Sequence, residues 1–162
     1  KYPVVSGLAN KSAQDKINRF MLQEAQKFMK AEGEAQTAVW DAAVKYNQNG
    51  YISFTVTYEI YYEGAAHGLH GIKGYSFETS TGRLLRLRDL YDITGSGRQY
   101  INNAIKRQVQ ENQIELFEPF AGISDNPEYY LIPNYVVIVY NPYEIASFAA
   151  GILEFSIPAK HH

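Results

Sequence analysis

Two long runs of β-type residues, TAVWDAAVKYNQ (37–48) and YISFTVTYEIYYE (51–63), stand either side of Asn49-Gly50, and no other feature restricts the fold of this chain as much. Aromatic and β-branched runs around a turn dipeptide predict an antiparallel hairpin. Its register follows from the pleat. A two-residue Asn49-Gly50 turn would set Val44 opposite Thr55 and Tyr46 opposite Ser53, so that apolar residues of one strand share a face with polar residues of the other. A three-residue loop, Gln48-Asn49-Gly50, sets Trp40 opposite Tyr58, Ala42 opposite Val56, Val44 opposite Phe54 and Tyr46 opposite Ile52. A slip of one residue moves every side chain to the other face, so the second register is expected, with Gly50 left-handed.

The elements around the hairpin follow from periodicity. YPVV near the start reads as a short strand. After it, Ile17, Phe20, Met21, Ala25, Phe28 and Met29 recur at three- and four-residue steps, the stripe of an amphipathic helix capped by Asn10 or Ser12 and ended by Gly33. IKGYSFET is a further strand, and TSTG turns the chain into a short RLLRL segment. A second helix begins near Ser96 with Tyr100, Ile101, Ala104, Ile105, Gln108 and Val109 on one face. The last third, EYYLIPNYVVIVYNPYEIASFAAGILEFSI, holds two or three strands broken by Pro133, by Asn141-Pro142 and by the small residues of ASFAAG. Strand, helix, strands, helix, strands is the order of an α+β fold: two amphipathic helices packed on one face of a mainly antiparallel β-sheet. At 162 residues and 46% hydrophobic, one domain over residues 1–160 is expected.

Several functional classes are excluded by what the sequence lacks. There is no cysteine, hence no disulfide, thiolate metal site or cysteine nucleophile. No apolar run approaches the roughly 18 residues of a membrane span. The chain starts at Lys1 without Met or a signal peptide, so its natural N-terminus is expected to have been removed. His161 and His162 read as a tag remnant, which leaves His67 and His70 as the informative histidines. The net charge of −2 hides an asymmetry: residues 108–159 contain seven carboxylates and no Lys or Arg. A nucleic-acid partner is not expected for such a stretch, whereas Glu111, Glu115 and Glu118 are candidates for an acidic surface that attracts a basic protein.

Two segments stand out as candidate sites. In YYEGAAHGLHG (61–71) a strand stops at Gly64 and two histidines follow within seven residues. Zinc needs three protein ligands when catalytic and four when structural, and this loop adds only Glu63 to His67 and His70, so neither metal nor cofactor is expected. Gly-x-Ser-x-Gly is absent, and TGSG lacks the ending of a phosphate loop, so no catalytic residues are assigned. In NPYEIASFAAG (141–151) the chain bends straight after its most hydrophobic strand, placing Tyr143 and Glu144 at a strand exit, where functional loops lie. The ligand-binding candidates are therefore His67, Gly68, His70, Tyr143 and Glu144. If the segments form one site, His67 and Glu144 are expected to hydrogen-bond directly or through one water.

YYEGAAHG, GYSFETSTGRLLRLRDLY and LIPNYVVIVYNPYEIASFAAGILEFSIP together resemble the extracytoplasmic domain shared by RsiV-like anti-sigma factors and PdaC-like secreted peptidoglycan deacetylases. Ala65-Ala66-His67-Gly68 matches the family's Gly-Ala-His-Gly loop, and Tyr143 to Gly151 its Tyr-Glu-Ile-Ala-x-x-Ala-Ala-Gly segment. The resemblance implies a location outside the cytoplasmic membrane, reached through an export signal or an N-terminal anchor outside this sequence. It also implies a role in recognition, since the anti-sigma members bind lysozyme and the deacetylases keep catalysis in a separate domain. That domain's His-x-x-x-His pair and Asp-Asp motif do not occur here, and neither does the segment that holds a sigma factor. The expectation is a non-enzymatic recognition or sensor domain for a cell-envelope ligand, either a lysozyme-like protein or a cell-wall glycan. The rivals are a cell-wall hydrolase or metal-dependent enzyme using His67 and His70, and a structural domain packed against a neighbour.

Overall fold

The computed structural model describes residues 2–159, so the tag remnant expected at 161–162 lies outside the described residues. Helix α1 (Lys11–Ala31) leads into a four-stranded antiparallel sheet in the order β1 (Thr37–Gln48), β2 (Tyr51–Tyr61), β3 (Leu69–Glu78), β4 (Arg83–Leu85). A single-turn helix α2 (Leu87–Leu90) and helix α3 (Gly95–Glu111) follow. A three-stranded antiparallel sheet closes the chain with β5 (Glu128–Ile132), β6 (Tyr135–Tyr140) and β7 (Leu153–Pro158). The α+β class holds, but the single sheet expected from the element order is two sheets, each with its own helix. Ile17 and Met21 of α1 bury against Trp40, Phe54, Val56 and Phe77 of the first sheet, and Ile101 and Ile105 of α3 against Ile138, Phe155 and Ile157 of the second. Burial on this scale contributes roughly 1.5–3 kcal/mol for each large side chain. β6 is apolar throughout because its other face is buried too, with Val137 and Val139 packing beside Tyr130.

The hairpin combines both registers weighed from the sequence. Trp40 pairs with Tyr58, Ala42 with Val56 and Val44 with Phe54, as the hydrophobic pattern demands. Beyond Val44 the register shifts at a bulge, Tyr46 pairs with Ser53, and the loop shortens to Asn49-Gly50 with φ of 55° and 80°. Positive φ at both positions is the type I′ pattern that suits the twist of paired strands. The expected three-residue loop and the Tyr46–Ile52 pair are thus corrected. One extra residue at Lys45 lets the turn and the core each keep their preferred register.

The helix termini follow the caps. Asn10 accepts from the Ala13 amide at 3.1 Å, and α1 ends at Ala31, two residues before Gly33. YPVV is not a strand. Val5 is buried, but both of its backbone groups bond to the Asn18 side chain of α1, at 2.7 and 2.9 Å, rather than to a neighbouring strand. The same device recurs on the edge strand β7 and on the stretch of β3 that the short β4 leaves unpaired. Gln108 pairs with the N–H and C=O of Ser156 on β7, and Asn141 with those of Ile72 on β3, so a side-chain amide stands where another strand could add.

The sheets meet where β5 lies on the face of β2 and β3 turned away from α1. Ser53, Thr55 and Ser76 on that face are all buried. The Ser53 and Ser76 hydroxyls are 2.9 Å apart, and the Leu131 amide of β5 donates to Ser53 Oγ at 3.0 Å. Gly74 admits the contact: a Cβ there would lie 1.8 Å from the carbonyl oxygen of Tyr129. The Glu128 carboxylate accepts from the Gly74 amide at 2.7 Å, and its burial raises its pKa despite that bond.

Candidate functional site

The two segments singled out in the sequence meet at one corner of the molecule. β2 ends at Tyr61, and the chain turns back through Gly64 at φ 82° to start β3 at Leu69, which places His67, Gly68 and His70 at the loop and the first strand residues. From the other sheet, β6 delivers Asn141, whose side chain is fixed to Ile72 of β3. That amide pair is the physical link between the segments.

The turn after Asn141 is strained. The Glu144 amide donates to the Asn141 carbonyl at 3.1 Å, with Pro142 and Tyr143 in the central positions. Tyr143 has φ 71°, the value a type II turn requires at its third residue, where glycine or asparagine is usual. Holding a non-glycine residue there costs about 1–2 kcal/mol. Burial does not offset it, because Tyr143 is 54% exposed. Its ring lies instead in an open cluster. The Tyr143 hydroxyl is 3.3 Å from His67 Nε2, while His67 Nδ1 lies 3.0 Å from the carbonyl oxygen of Gly68. The His67 ring stacks on Phe148 with centroids 4.0 Å apart, and His70 meets the same Phe148 ring edge-on at 5.2 Å. Gly68, His70 and Phe148 also line a shallow cleft of about 340 Å³ with Thr37, Glu59 and Leu69.

No direct hydrogen bond joins His67 and Glu144. Glu144 turns back and accepts from the Asn141 amide at 2.6 Å, bracing the turn, and its neighbour Tyr143 takes the place at His67. Burial raises the pKa of Tyr58, and the charge of Glu144 and then that of Glu128 add to the rise. Phe148 was missed from the sequence. It lies seven residues beyond Asn141 in a 3-10 turn (Phe148–Ala150), and nothing in ASFAAG sets it apart from a core aromatic.

The acidic candidates divide. Glu111 lies 3.9 Å from Arg107 on α3, whereas Glu115 and Glu118 are exposed on the following loop, with no ion pair among the described residues. This loop reaches the corner, since the Phe117 amide donates to the Ile145 carbonyl at 3.0 Å, and the Phe117 side chain is 57% exposed. The other carboxylates of the stretch are engaged: Asp125 with Arg98, Glu154 with the Tyr130 hydroxyl and Glu128 with Gly74. The acidic run is therefore no single patch, and its exposed part lies on the loop that bonds to the Asn141–Phe148 segment through Phe117. Among the described residues no three His, Cys, Asp or Glu side chains converge as a metal would need, and no helix is long and apolar enough to cross a membrane.

A family model described as deacetylase PdaC matches residues 1–70, and one described as a protein of unknown function (DUF3298) matches residues 91–160. Among solved structures the chain is similar to a DUF3298 family protein from Pseudomonas aeruginosa, with 17% identity and a TM-score of 0.64 over 85% of this chain and 65% of that one. It is also similar to a member of the same family from Bacteroides fragilis, with 16% identity and a TM-score of 0.59 over 91% of this chain and 62% of that one. At these identities the likeness concerns the fold, and the chain spans just under two-thirds of each structure's length. No curated protein matches it. The two family models lie in succession along the chain, over 70 residues each, and they agree with the family resemblance read from the sequence.

Proposed function

We propose that this chain is a recognition domain of the cell envelope, without chemistry of its own, that docks a protein partner on the corner formed by His67, His70, Tyr143 and Phe148. The observation that carries the reading is Tyr143, a large exposed ring held in a costly backbone conformation by a turn anchored to the other sheet. Strain of this kind persists where the surroundings over-determine it, and it concentrates at ligand-binding positions. Exposed aromatic rings supply the anchors of protein interfaces, and Phe117 is a second exposed ring, on the loop whose backbone bonds to Ile145. Glu115, Glu118 and Glu144 give the margin a negative sign, which suits a basic partner of the lysozyme type and would act mainly on the rate of encounter. A location outside the cytoplasmic membrane is part of this proposal and rests on the family resemblance. An enzyme using His67 and His70 is the less supported reading, because no third metal ligand converges with them among the described residues.

The test is a binding titration of tag-free protein against lysozyme, repeated with His67→Ala and Phe148→Ala. Saturable binding that both variants weaken at least tenfold is expected. No binding would remove the lysozyme-type partner, and binding indifferent to both variants would move it elsewhere on the surface.

A further inference from the structure

Three sheet margins of this molecule are covered by bonds that stop another strand from adding. Gln108 caps Ser156 on β7, Asn141 and Glu128 cover Ile72 and Gly74 on β3, and the Leu131 amide of β5 donates to the Ser53 hydroxyl. β1 is the exception. Along its 12 residues it has β2 on one side and no strand on the other, and among the described residues no such bond caps Ala42, Ala43 or Val44. Val44 is 56% exposed, and beside the start of the strand an open groove of about 540 Å³ is lined by Tyr2, Met29 and Val39, which are exposed as well. A long uncovered edge is a template for a further strand.

The charges on β1 select which strand fits. Asp41 and Ala43 pair with Thr57 and Thr55, so they share the face turned toward β5, and the Lys45 ammonium reaches that same face, 5.9 Å from the centre of the Tyr130 ring. All three residues are exposed, and among the described residues neither charge takes part in an ion pair. A lysine on an edge strand ordinarily repels a second strand. Here Asp41 lies four residues before it. Two antiparallel copies related by a two-fold axis at Ala43 set Asp41 of each opposite Lys45 of the other, giving two attractive pairs on one face. An axis at Asp41 or at Lys45 sets like charges against each other, and one at Ala42 or Val44 leaves both charges without a charged partner. We propose that this chain pairs with a second copy of itself, β1 to β1 and antiparallel, about Ala43.

Sedimentation equilibrium of tag-free protein is expected to show monomer at low micromolar concentration and dimer as the concentration approaches millimolar. Asp41→Lys and Lys45→Asp each turn two attractive pairs into repulsive ones and are expected to weaken the dimer about tenfold, while the double variant returns it to within about threefold of wild type. Both side chains are exposed, so the variants are expected to keep their fold, which circular dichroism checks. Because the chain has no cysteine, Ala43→Cys introduces a single thiol. Opposed residues of antiparallel strands have Cα atoms about 4.5–5.5 Å apart, within the reach of a disulfide. Mild oxidation is therefore expected to link two copies at position 43 faster than in a Glu118→Cys control. A protein that stays monomeric up to millimolar concentration overturns the proposal. So do single variants that dimerise as wild type does, a double variant no better than either single one, or linkage at 118 as fast as at 43.

Discussion

The contact between β5 and the first sheet and the corner around Tyr143 are both made of unusual residues, yet the two differ in what the fold gains from them. In the contact, Gly74 leaves room for the Tyr129 carbonyl, Ser53 supplies a hydroxyl to the Leu131 amide, and Glu128 covers the Gly74 amide. Gly74 and Ser53 are accounted for by packing, and Glu128 by the Gly74 amide it covers at the cost of a buried charge. At the corner, Tyr143 is strained and exposed, and His67 and Phe148 stack without being buried. A feature that costs stability and returns none through burial points to a use outside the fold, whereas one that closes a packing contact does not.

The strongest test of this contrast is Gly74→Ala. The new Cβ meets backbone rather than a movable side chain, so β5 must shift, and about 3 kcal/mol of stability is expected to be lost in urea unfolding. A loss below about 0.5 kcal/mol would mean that β5 does not dock as described. Glu128→Gln probes the same contact more gently. Glu128 has a raised pKa, chiefly from burial, so its contribution to stability is present below the ordinary glutamate pKa and lost as pH rises through the folded value. Glutamine keeps an acceptor for the Gly74 amide without the buried charge. The variant is expected to melt higher than wild type at pH 7, with the gap closing near pH 4. A gap of the same size at both pH values would remove the buried charge as its cause.

At the corner the effects are smaller and fall on binding. Changing Glu115 and Glu118 to Gln is expected to slow association with lysozyme a few-fold at 0.1 M salt, where charges are screened over ~10 Å, and to have no effect at 1 M, where the length is ~3 Å. Adding Glu111→Gln is expected to change little, because Arg107 already offsets that charge. Elemental analysis of tag-free protein is expected to return no stoichiometric zinc. One tightly held zinc, lost on His67→Ala, would put the hydrolase reading first.

The sequence was most legible where a pattern answers to one demand. The alternation of Trp40, Ala42 and Val44 against Tyr58, Val56 and Phe54 set the body of the hairpin correctly. At its tip the core and the turn made different demands, and the bulge at Lys45 that satisfies both is not written in either strand. Ser53 and Thr55 were read only as the polar side of their strand, and Gly74 and Ser76 were passed over. They are small and uncharged, whereas a solvated face carries Lys and Glu, and that was the available sign of a second sheet. The corner was half legible: glycines, histidines and Asn141-Pro142 marked its two segments, but the partner of His67 depended on which side chain the turn projects. Only the left-handed conformation of Tyr143 decides that.

The central claim is that Tyr143 is kept for a ligand at the fold's expense, and Tyr143→Gly tests it in one protein. Glycine adopts φ 71° without strain, so the variant is expected to unfold at higher urea concentration, by about 1 kcal/mol, while its affinity for lysozyme falls at least tenfold. Stability and binding measured on the same preparation should therefore move in opposite directions. A variant that is more stable and binds as wild type does would contradict the claim.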